Sequence, residues 1–461
     1  MLRDFSHFRP RVTMVASVMR IRSALSCATH LFFEHNAFID VQVPIITTSH
    51  YEGLGKMFLV TSLEQKADED KLKTIDENEI EGVNLETVKA AVREKSNIVE
   101  NLKRSDSNRE APAAAIQDLK KTNELASQLE ARGKTKSASS LKAPQVDSSD
   151  GFFSCQTYLT ASGGLHLETY TCALGNVYSF GPRFQVDKTD SSKQAAEMWM
   201  VEAEMAFAQL EDSMHCAIDL FKYLCKWVWE NCSEDMNFVA KNIDNACITR
   251  LQQTVSVPSD IVSYSEVIDI LMKVHYHVLR DYNMFIVFTP FLFYLFYLFP
   301  FLRYIRVIIV MHLLSQVTDK KFETNVQWGV SLTTEHLSYL ADNIFKRPVI
   351  IYNYPKEAKP FFVRVNDDMR TVAAFDLVAP KVGVIVSGGE NEERLDVIMS
   401  RIEESGLPRE KYEWYLDLRR HGTVKNSGFT LRFDLLILFI TGLTDVRDVI
   451  PFHRSHGKIM N

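Results

Sequence analysis

The sequence predicts an α+β fold, a largely antiparallel sheet flanked by helices, with a helical hairpin inserted into it. Three observations carry this. Strand-like runs are separated by long gaps, with few of the strand–helix–strand alternations that build a parallel sheet. Apolar residues at helical spacing mark a long helix near the N-terminus. Between residues 64 and 150 the chain changes character, with an acidic stretch nearly free of large apolar residues followed by two helical stripes.

In order, residues 10–33 read as a helix, because Val18, Ile21, Leu25, Ala28 and Phe32 fall on one face. "FIDVQVPII" alternates, with Ile39, Val41, Val43 and Ile45 on one side, and predicts a half-buried strand that Pro44 limits. "EQKADEDKLKTIDENEIEG" is acidic and reads as a linker. Residues 85–104 and 111–131 follow as two helices, striped by Leu85, Val88, Val92, Val99 and Leu102 and by Ala115, Leu119, Ala126 and Leu129. Together they make a hairpin too small to own much core. "GKTKSASSLKAPQVDSSDG" reads as a flexible tether. Beyond it, "GFFSCQTYLTASG", "VYSFGPRFQVD", "RPVIIYNYP", "PFFVRVN", "AAFDLVAPKVGVIVSGG" and "SGFTLRFDLLILF" are strand-like. A long helix lies within "QAAEMWMVEAEMAFAQLEDSMHCAIDLFKYLCKWVWENC", and "EERLDVIMSRIEESGL" is a helix ending at Gly406.

The 461 residues, 46% hydrophobic and 24% charged, suit a globular chain of two or three domains. A net charge of −7 gives no general attraction to nucleic acid, so any RNA contact needs a local basic surface. The hairpin offers one: Lys89, Arg93, Lys103, Arg104, Lys120 and Lys121 are among its cations. They read either as a solvated helix surface or as a face for RNA phosphates. The seven cysteines are scattered, with no CxxC pair, and read as reduced core thiols of an intracellular protein. "MLRDFSHFRPRV" lacks the apolar core of a signal peptide.

Met284 to Leu302 is a run of 19 uncharged residues, long enough to span a bilayer. Pro290, Pro300 and many aromatic residues suit a soluble buried helix poorly. A membrane anchor, a buried helix and a segment foreign to the surrounding domain are the three readings.

Three ordered stretches resemble the asparaginyl-tRNA synthetases, a family of class II aminoacyl-tRNA synthetases. "HFRPRVTMVASVMRIRSALSCATHLFFEHNAFIDVQVPIITTSHYEG" is similar to the first class motif. "YLTASGGLHLETYTCALGNVYSFGPRFQVDK" with "EMWMVEAEMAF" is similar to the second, and "EWYLDLRRHGTVKNSGFTLRFDLLILFITGLTDVRDVIPFHR" to the third with the family's tail. The likeness covers residues 7–63, 151–274 and 317–461, and the hairpin at 82–136 resembles a WHEP domain placed as in a plant-type variant. The resemblance implies a six-stranded antiparallel catalytic sheet, ATP with Mg2+, asparagine and tRNA(Asn) as ligands, a homodimer and a cytoplasmic location. It implies an anticodon-binding domain before "HFRPR", for which only about six residues remain. It also makes residues 275–316 an insertion, read as a retained intron or gene-model error, and a membrane role unlikely.

The family's site residues carry over only in part. Its phosphate-contacting arginine falls at Gln185 and the following glutamate at Asp187, while Arg183 brings a cation two residues earlier. A histidine of the next loop falls at Gln194. In the third motif Gly428 remains; Thr430 and Arg432 stand for glycines, Asp434 for a glutamate and Leu435 for an arginine. Asp376 matches one magnesium carboxylate, and Val384 replaces its partner. On the amino-acid side, Glu52 is expected at the ammonium and Glu202 at the asparagine amide hydrogens. Gly164 stands for a glutamine, and Asn391 for the arginine at the side-chain oxygen. These departures imply an asparagine–tRNA ligase site whose activation step is impaired, or a synthetase-like protein that binds tRNA or partners.

Overall fold

The structure is a computed structural model that describes residues 5, 7–48, 57–61, 91–97, 120–122, 152–186, 191–280, 322–456 and 458–459. The chain divides into two compact units, residues 1–60 with 157–461, and residues 61–156.

In the smaller unit, residues 91–97 and 120–122 are helical, within the two expected helices. Lys95 Nζ donates to Thr122 Oγ1 at 3.1 Å. Arg93, Lys120 and Lys121 are exposed; Lys89, Lys103 and Arg104 lie outside the described residues.

The larger unit starts with α1 (Thr13–His35), which buries Val18, Ile21, Leu25, Ala28 and Phe32, the predicted stripe. It closes where Asn36 Nδ2 donates to Phe32 O at 2.7 Å, and the chain turns away through Ala37 at φ 58°. The expected nine-residue strand is two short pieces, β1 (Ile39–Asp40) and β2 (Ile46–Thr47). Ile39 and Ile45 are exposed rather than half-buried. Val41 N still donates to Tyr178 O, but regular pairing stops there. Pro44, with no N–H to give, falls in the gap.

The remaining strands are β3 (Leu59–Val60), β4 (Thr157–Leu159), β5 (Val177–Phe184), β6 (Glu197–Ala206), β7 (Asp260–Ser263), β8 (Val349–Pro355), β9 (Thr371–Ala379), β10 (Gly383–Glu390), β11 (Asn426–Arg432), β12 (Arg454–Ser455) and β13 (Lys458–Ile459), the last two paired with each other. β2, β4 and β3 form a small sheet of their own. The main sheet runs β1-β5-β6-β11-β10-β9-β8-β7. Its six central strands are antiparallel throughout, and only the edge strands β1 and β7 join in parallel.

Helices follow the same chain order: α2 (Gly164–Leu174), α3 (Leu210–Asn231), α4 (Ser233–Asn242), α5 (Cys247–Ser256), α6 (Tyr264–Arg280), α7 (Leu395–Glu404), α8 (Glu413–His421) and α9 (Phe433–Thr441). The largest core lies between one sheet face, with Val201, Ala203, Phe375, Leu377, Val386, Phe429 and Leu431, and helices α1, α3 and α9. Arg9, almost fully buried, donates to Arg447 O at 2.8 Å and ties the N-terminal segment to the tail of the unit.

Three expectations need correction. "SGFTLRFDLLILF" is not one strand: it is β11 followed by α9, every residue of which is buried. A continuous apolar run has no period to separate the two, and complete burial removes any polar face that would mark the helix. "PFFVRVN" makes only isolated bridges, Val363 to Asn391 and Val365 to Val372. The long helix expected within its stretch is present and begins at Leu210, after a strand through "EMWMVEAEMA". The thiols are not all core: Cys225 and Cys247 are buried, whereas Cys27 and Cys155 are exposed.

The helix α6 runs to Arg280, across the expected boundary at 274. Residues 281–316, with the 19-residue apolar run, lie outside the described residues. Among the described residues, no helix is long and apolar enough to cross a membrane.

Candidate active site

The sheet face away from the main core floors a cavity of about 850 Å³, within the usual range for small-molecule sites. Strand register decides what the floor presents. Directly paired residues of an antiparallel sheet share a face. Ser179 pairs with Glu202, Glu202 with Thr430, Thr430 with Ser387, and Ser387 with Asp376. One polar row therefore crosses five strands. Glu202 and Asp376 are three strand spacings apart, about 14 Å. The site has two ends, one at each carboxylate.

At the first end, Glu202 and Arg183 form an ion pair with side chains only 2% and 1% exposed. Arg183 Nε and Nη2 donate to Glu202 Oε2 at 2.9 and 2.5 Å. Ser162 Oγ donates to Glu202 Oε1 at 2.5 Å, and Gly163 N reaches both oxygens at 2.9 and 3.0 Å. Arg183 is thus turned along the floor toward Glu202. Gln185 lines the cavity and accepts from Gln194 Nε2 at 2.7 Å, so two neutral amides pair where the resemblance places an arginine and a histidine. Gly164 also lines this end. Glu52 and Asp187 lie outside the described residues.

Glu204, one pleat along β6 from Glu202, also faces the cavity. Burial raises its pKa well above the ordinary carboxylate range, and the negative charges of Glu168 and Glu202 add to the rise. Asn391 Nδ2 donates to Glu204 Oε2 at 3.1 Å and to Asn426 Oδ1 at 2.5 Å, opposing the shift without cancelling it. Gly428 makes room for this carboxylate: a Cβ there would stand 2.3 Å from Glu204 Cδ and 2.4 Å from Ala203 O. The glycine expected to admit ATP is thus required by the protein's own packing.

At the second end, Lys359 Nζ donates to Asp376 Oδ2 at 2.7 Å. Burial opposes ionisation of Asp376, but the charge and hydrogen bond of Lys359, helped by Ser387 and Tyr354, hold its carboxyl below the ordinary value. Lys356, Lys359, Arg401 and Arg432 all line this part of the cavity. Lys356 and Arg401 both approach Glu404, at 2.9 and 3.7 Å. Arg432 differs. Its Nη1 donates to Val384 O at 3.0 Å, and no carboxylate lies within 4 Å of it among the described residues. Burial pushes its guanidinium below the ordinary value, against the pull of Asp376.

Asp434 does not line the cavity. It is fully buried at the start of α9, accepts from Arg22 of α1, and takes Trp199 N at 2.7 Å. It fixes the join between α1, β6 and α9. Leu435 is buried in the main core.

Sequence reading missed a buried network behind the first end. Glu168 of α2 accepts from Arg419 Nη2 at 2.5 Å and from the hydroxyl of Tyr415, both on α8. Arg419 Nε donates to Glu392 O at 2.9 Å, and Asn426 Nδ2 to Glu168 Oε1 at 3.3 Å. The only sequence signal is a charged residue at helix positions otherwise apolar, which alone does not name a partner.

The arrangement suits an elongated ligand, with hydrogen-bonding groups at one end and positive charge at the other. The profile of tRNA synthetases class II (D, K and N) matches residues 132–456. Asparagine--tRNA ligase, cytoplasmic 2, of Arabidopsis thaliana is 50% identical over the whole chain, which spans 65% of that relative's length. Asparagine--tRNA ligase, cytoplasmic 1, of the same plant is 42% identical over 99% of the chain and 73% of the relative. Among solved structures, asparaginyl-tRNA synthetase from Pyrococcus horikoshii complexed with asparaginyl-adenylate superposes with a TM-score of 0.66 at 22% identity, covering 100% of this chain and 73% of that one. The Entamoeba histolytica asparaginyl-tRNA synthetase does so at 0.64 and 15%, covering 100% and 72%. With an uninterrupted six-strand antiparallel centre and these relatives, the chain belongs to the asparagine–tRNA ligase family, within the class II tRNA synthetases.

Proposed function

We propose that this chain forms the catalytic body of a cytoplasmic ligase that activates asparagine with ATP and transfers it to tRNA(Asn). The observation that carries the reading is the polar row of Glu202, Thr430 and Ser387 along the cavity floor, continued beyond it by Asp376. It offers carboxylate and amide groups to an amino acid at one end, and Lys359 and Arg432 to phosphates at the other. In this reading Glu52 and Glu202 serve the amino acid, Arg432 meets the nucleotide, and the hairpin cations meet tRNA. Two copies pair as a homodimer.

Magnesium does not fit the residues at Asp376. Asp376 Oδ1 is buried without a hydrogen-bond partner, but the other oxygen carries the Lys359 ammonium, Val384 brings no side-chain oxygen, and Arg432 adds further positive charge. No group of three or more possible ligands occurs among the described residues. No step is therefore routed through the metal, and fixed cations supply the positive charge at this end.

A second reading is favoured by the commitment of Arg183 to Glu202 and of Leu435 to the core. It is a synthetase-like protein that binds tRNA while activating asparagine slowly. Loss of one cation from the transferring phosphate costs about 10²–10³ in rate. Asparagine-dependent exchange of pyrophosphate into ATP decides between them: ordinary exchange rates support the ligase, and rates lower by that factor support the second. Deleting residues 82–136 and measuring tRNA binding tests the hairpin; unchanged affinity removes it from the RNA role.

A further inference from the structure

Glu202 is the polar centre of the amino-acid end, yet its capacity to accept hydrogen bonds is spent. A carboxylate has about four lone-pair sites. Ser162 Oγ and Gly163 N occupy Oε1, and Arg183 Nε, Arg183 Nη2 and again Gly163 N occupy Oε2. The guanidinium is held from other sides too: Nη2 donates to Ser179 Oγ at 3.3 Å and Nη1 to Pro182 O at 2.9 Å.

The roof over the pair is equally closed. A Cβ on Gly163 would lie 2.4 Å from Val43 Cγ2, 2.8 Å from Arg183 Nη2 and 2.9 Å from Glu202 Oε2. Only a residue without a side chain fits above the pair, and even there no atom-sized gap is left. A ligand amide has no free acceptor to meet unless one of the donors leaves. Gly163 N is fixed by the backbone turn entering α2, whereas Ser162 Oγ and the Arg183 guanidinium are side-chain donors; of these, Arg183 makes two of the bonds and fills Oε2, so its rotation frees the most.

We propose that Arg183 is an internal plug of the amino-acid subsite: its guanidinium holds the place of the ligand's donors on Glu202, so asparagine enters only when this pair opens. The proposal rests on the ligase reading of the cavity and deepens it. A charge-assisted pair at both nitrogens competes directly with a neutral amide, which brings weaker bonds. Removing Arg183 leaves Oε2 of Glu202 with the shared Gly163 N alone, so it can accept from a ligand while the carboxylate remains partly satisfied.

The test is calorimetric titration of the full chain with asparagine and, separately, with ATP. Arg183→Ala is expected to bind asparagine at least about tenfold more tightly than the unchanged protein, with ATP affinity unaltered. Arg183→Lys, which keeps the charge but not the two-nitrogen fork, is expected to fall between them. Unchanged or weaker asparagine binding in Arg183→Ala overturns the plug and makes the pair structural or Arg183 a ligand contact. If thermal melting shows that Arg183→Ala does not fold, Arg183→Gln carries the same comparison. ATP binding without asparagine binding in every variant overturns the plug while leaving the nucleotide half of the reading in place. Absence of both overturns the ligase reading as well.

Discussion

The two ends of the cavity handle charge in opposite ways. Glu202 and Glu168 each have a cation inside the protein, at 2.5 Å in both ion pairs. Around Arg432 a cation lines the cavity with one backbone carbonyl for company. A buried charge matched by its own fold contributes to holding helices and strands together, and breaking the match leaves its partner stranded. A cation without such a match has little structural work to lose and a field to offer a ligand.

The largest break should come at the matched end. Arg419→Ala leaves Glu168 buried beside Glu204 without its guanidinium, and is expected to cost about 3–5 kcal/mol in a denaturant titration. A loss below about 1 kcal/mol would show that Asn426 and Tyr415 satisfy Glu168 by themselves. Arg432→Ala should do the reverse. It is expected to weaken ATP binding about tenfold or more by calorimetry while leaving the melting temperature unchanged or slightly raised. A large drop in melting temperature would place Arg432 with the structural charges.

Glu204 sharpens the comparison through pH. A carboxyl whose folded pKa is raised binds its proton more tightly in the folded chain than in the unfolded one, where it ionises near pH ~4.3. Its contribution to stability is full below that value and is lost as pH rises through the folded pKa. Glu204→Gln keeps the shape without the titration, so it should be more stable than the unchanged protein at neutral pH. The difference should close below about pH 4. A constant difference across the range would mean that Glu204 titrates alike in the folded and unfolded chains, with no raised pKa.

The smallest effect concerns metal. With Lys359 on Asp376 and Arg432 nearby, chelation of divalent ions should change ATP affinity by less than about twofold, where a single carboxylate held by an ammonium brings little to a divalent cation. A larger loss in chelator would require Lys359 to leave Asp376.

Much of the scaffold was legible before the structure. The α1 stripe, the strand character of "AAFDLVAPKVGVIVSGG" and the helix ending at Gly406, whose φ is +68°, follow from period and from glycine at a left-handed cap; that the run is two strands paired as a hairpin came from the structure. "SGFTLRFDLLILF" was not legible, because a segment buried on all sides shows the same apolar run as a strand or a helix. The candidate site divides in the same way. Glu202, Gly164, Gly428, Asn391 and Arg432 do meet around one cavity, whereas Asp434 turns into the core toward Arg22.

By itself, the sequence determined the alternation of strands and helices, the α1 face, the ordered motifs that carry the resemblance, and the residue types available to a site. These depend on neighbours along the chain, where spacing alone sets which side chains share a face. Only the tertiary structure decided which charges are matched. Arg183 and Glu202 are 19 residues apart in the chain, Arg419 and Glu168 are 251 apart, and Arg22 and Asp434 are 412 apart. Their meetings depend on strand register and helix packing. A charge bound within the fold and one open to a ligand read as the same letter until those contacts are made.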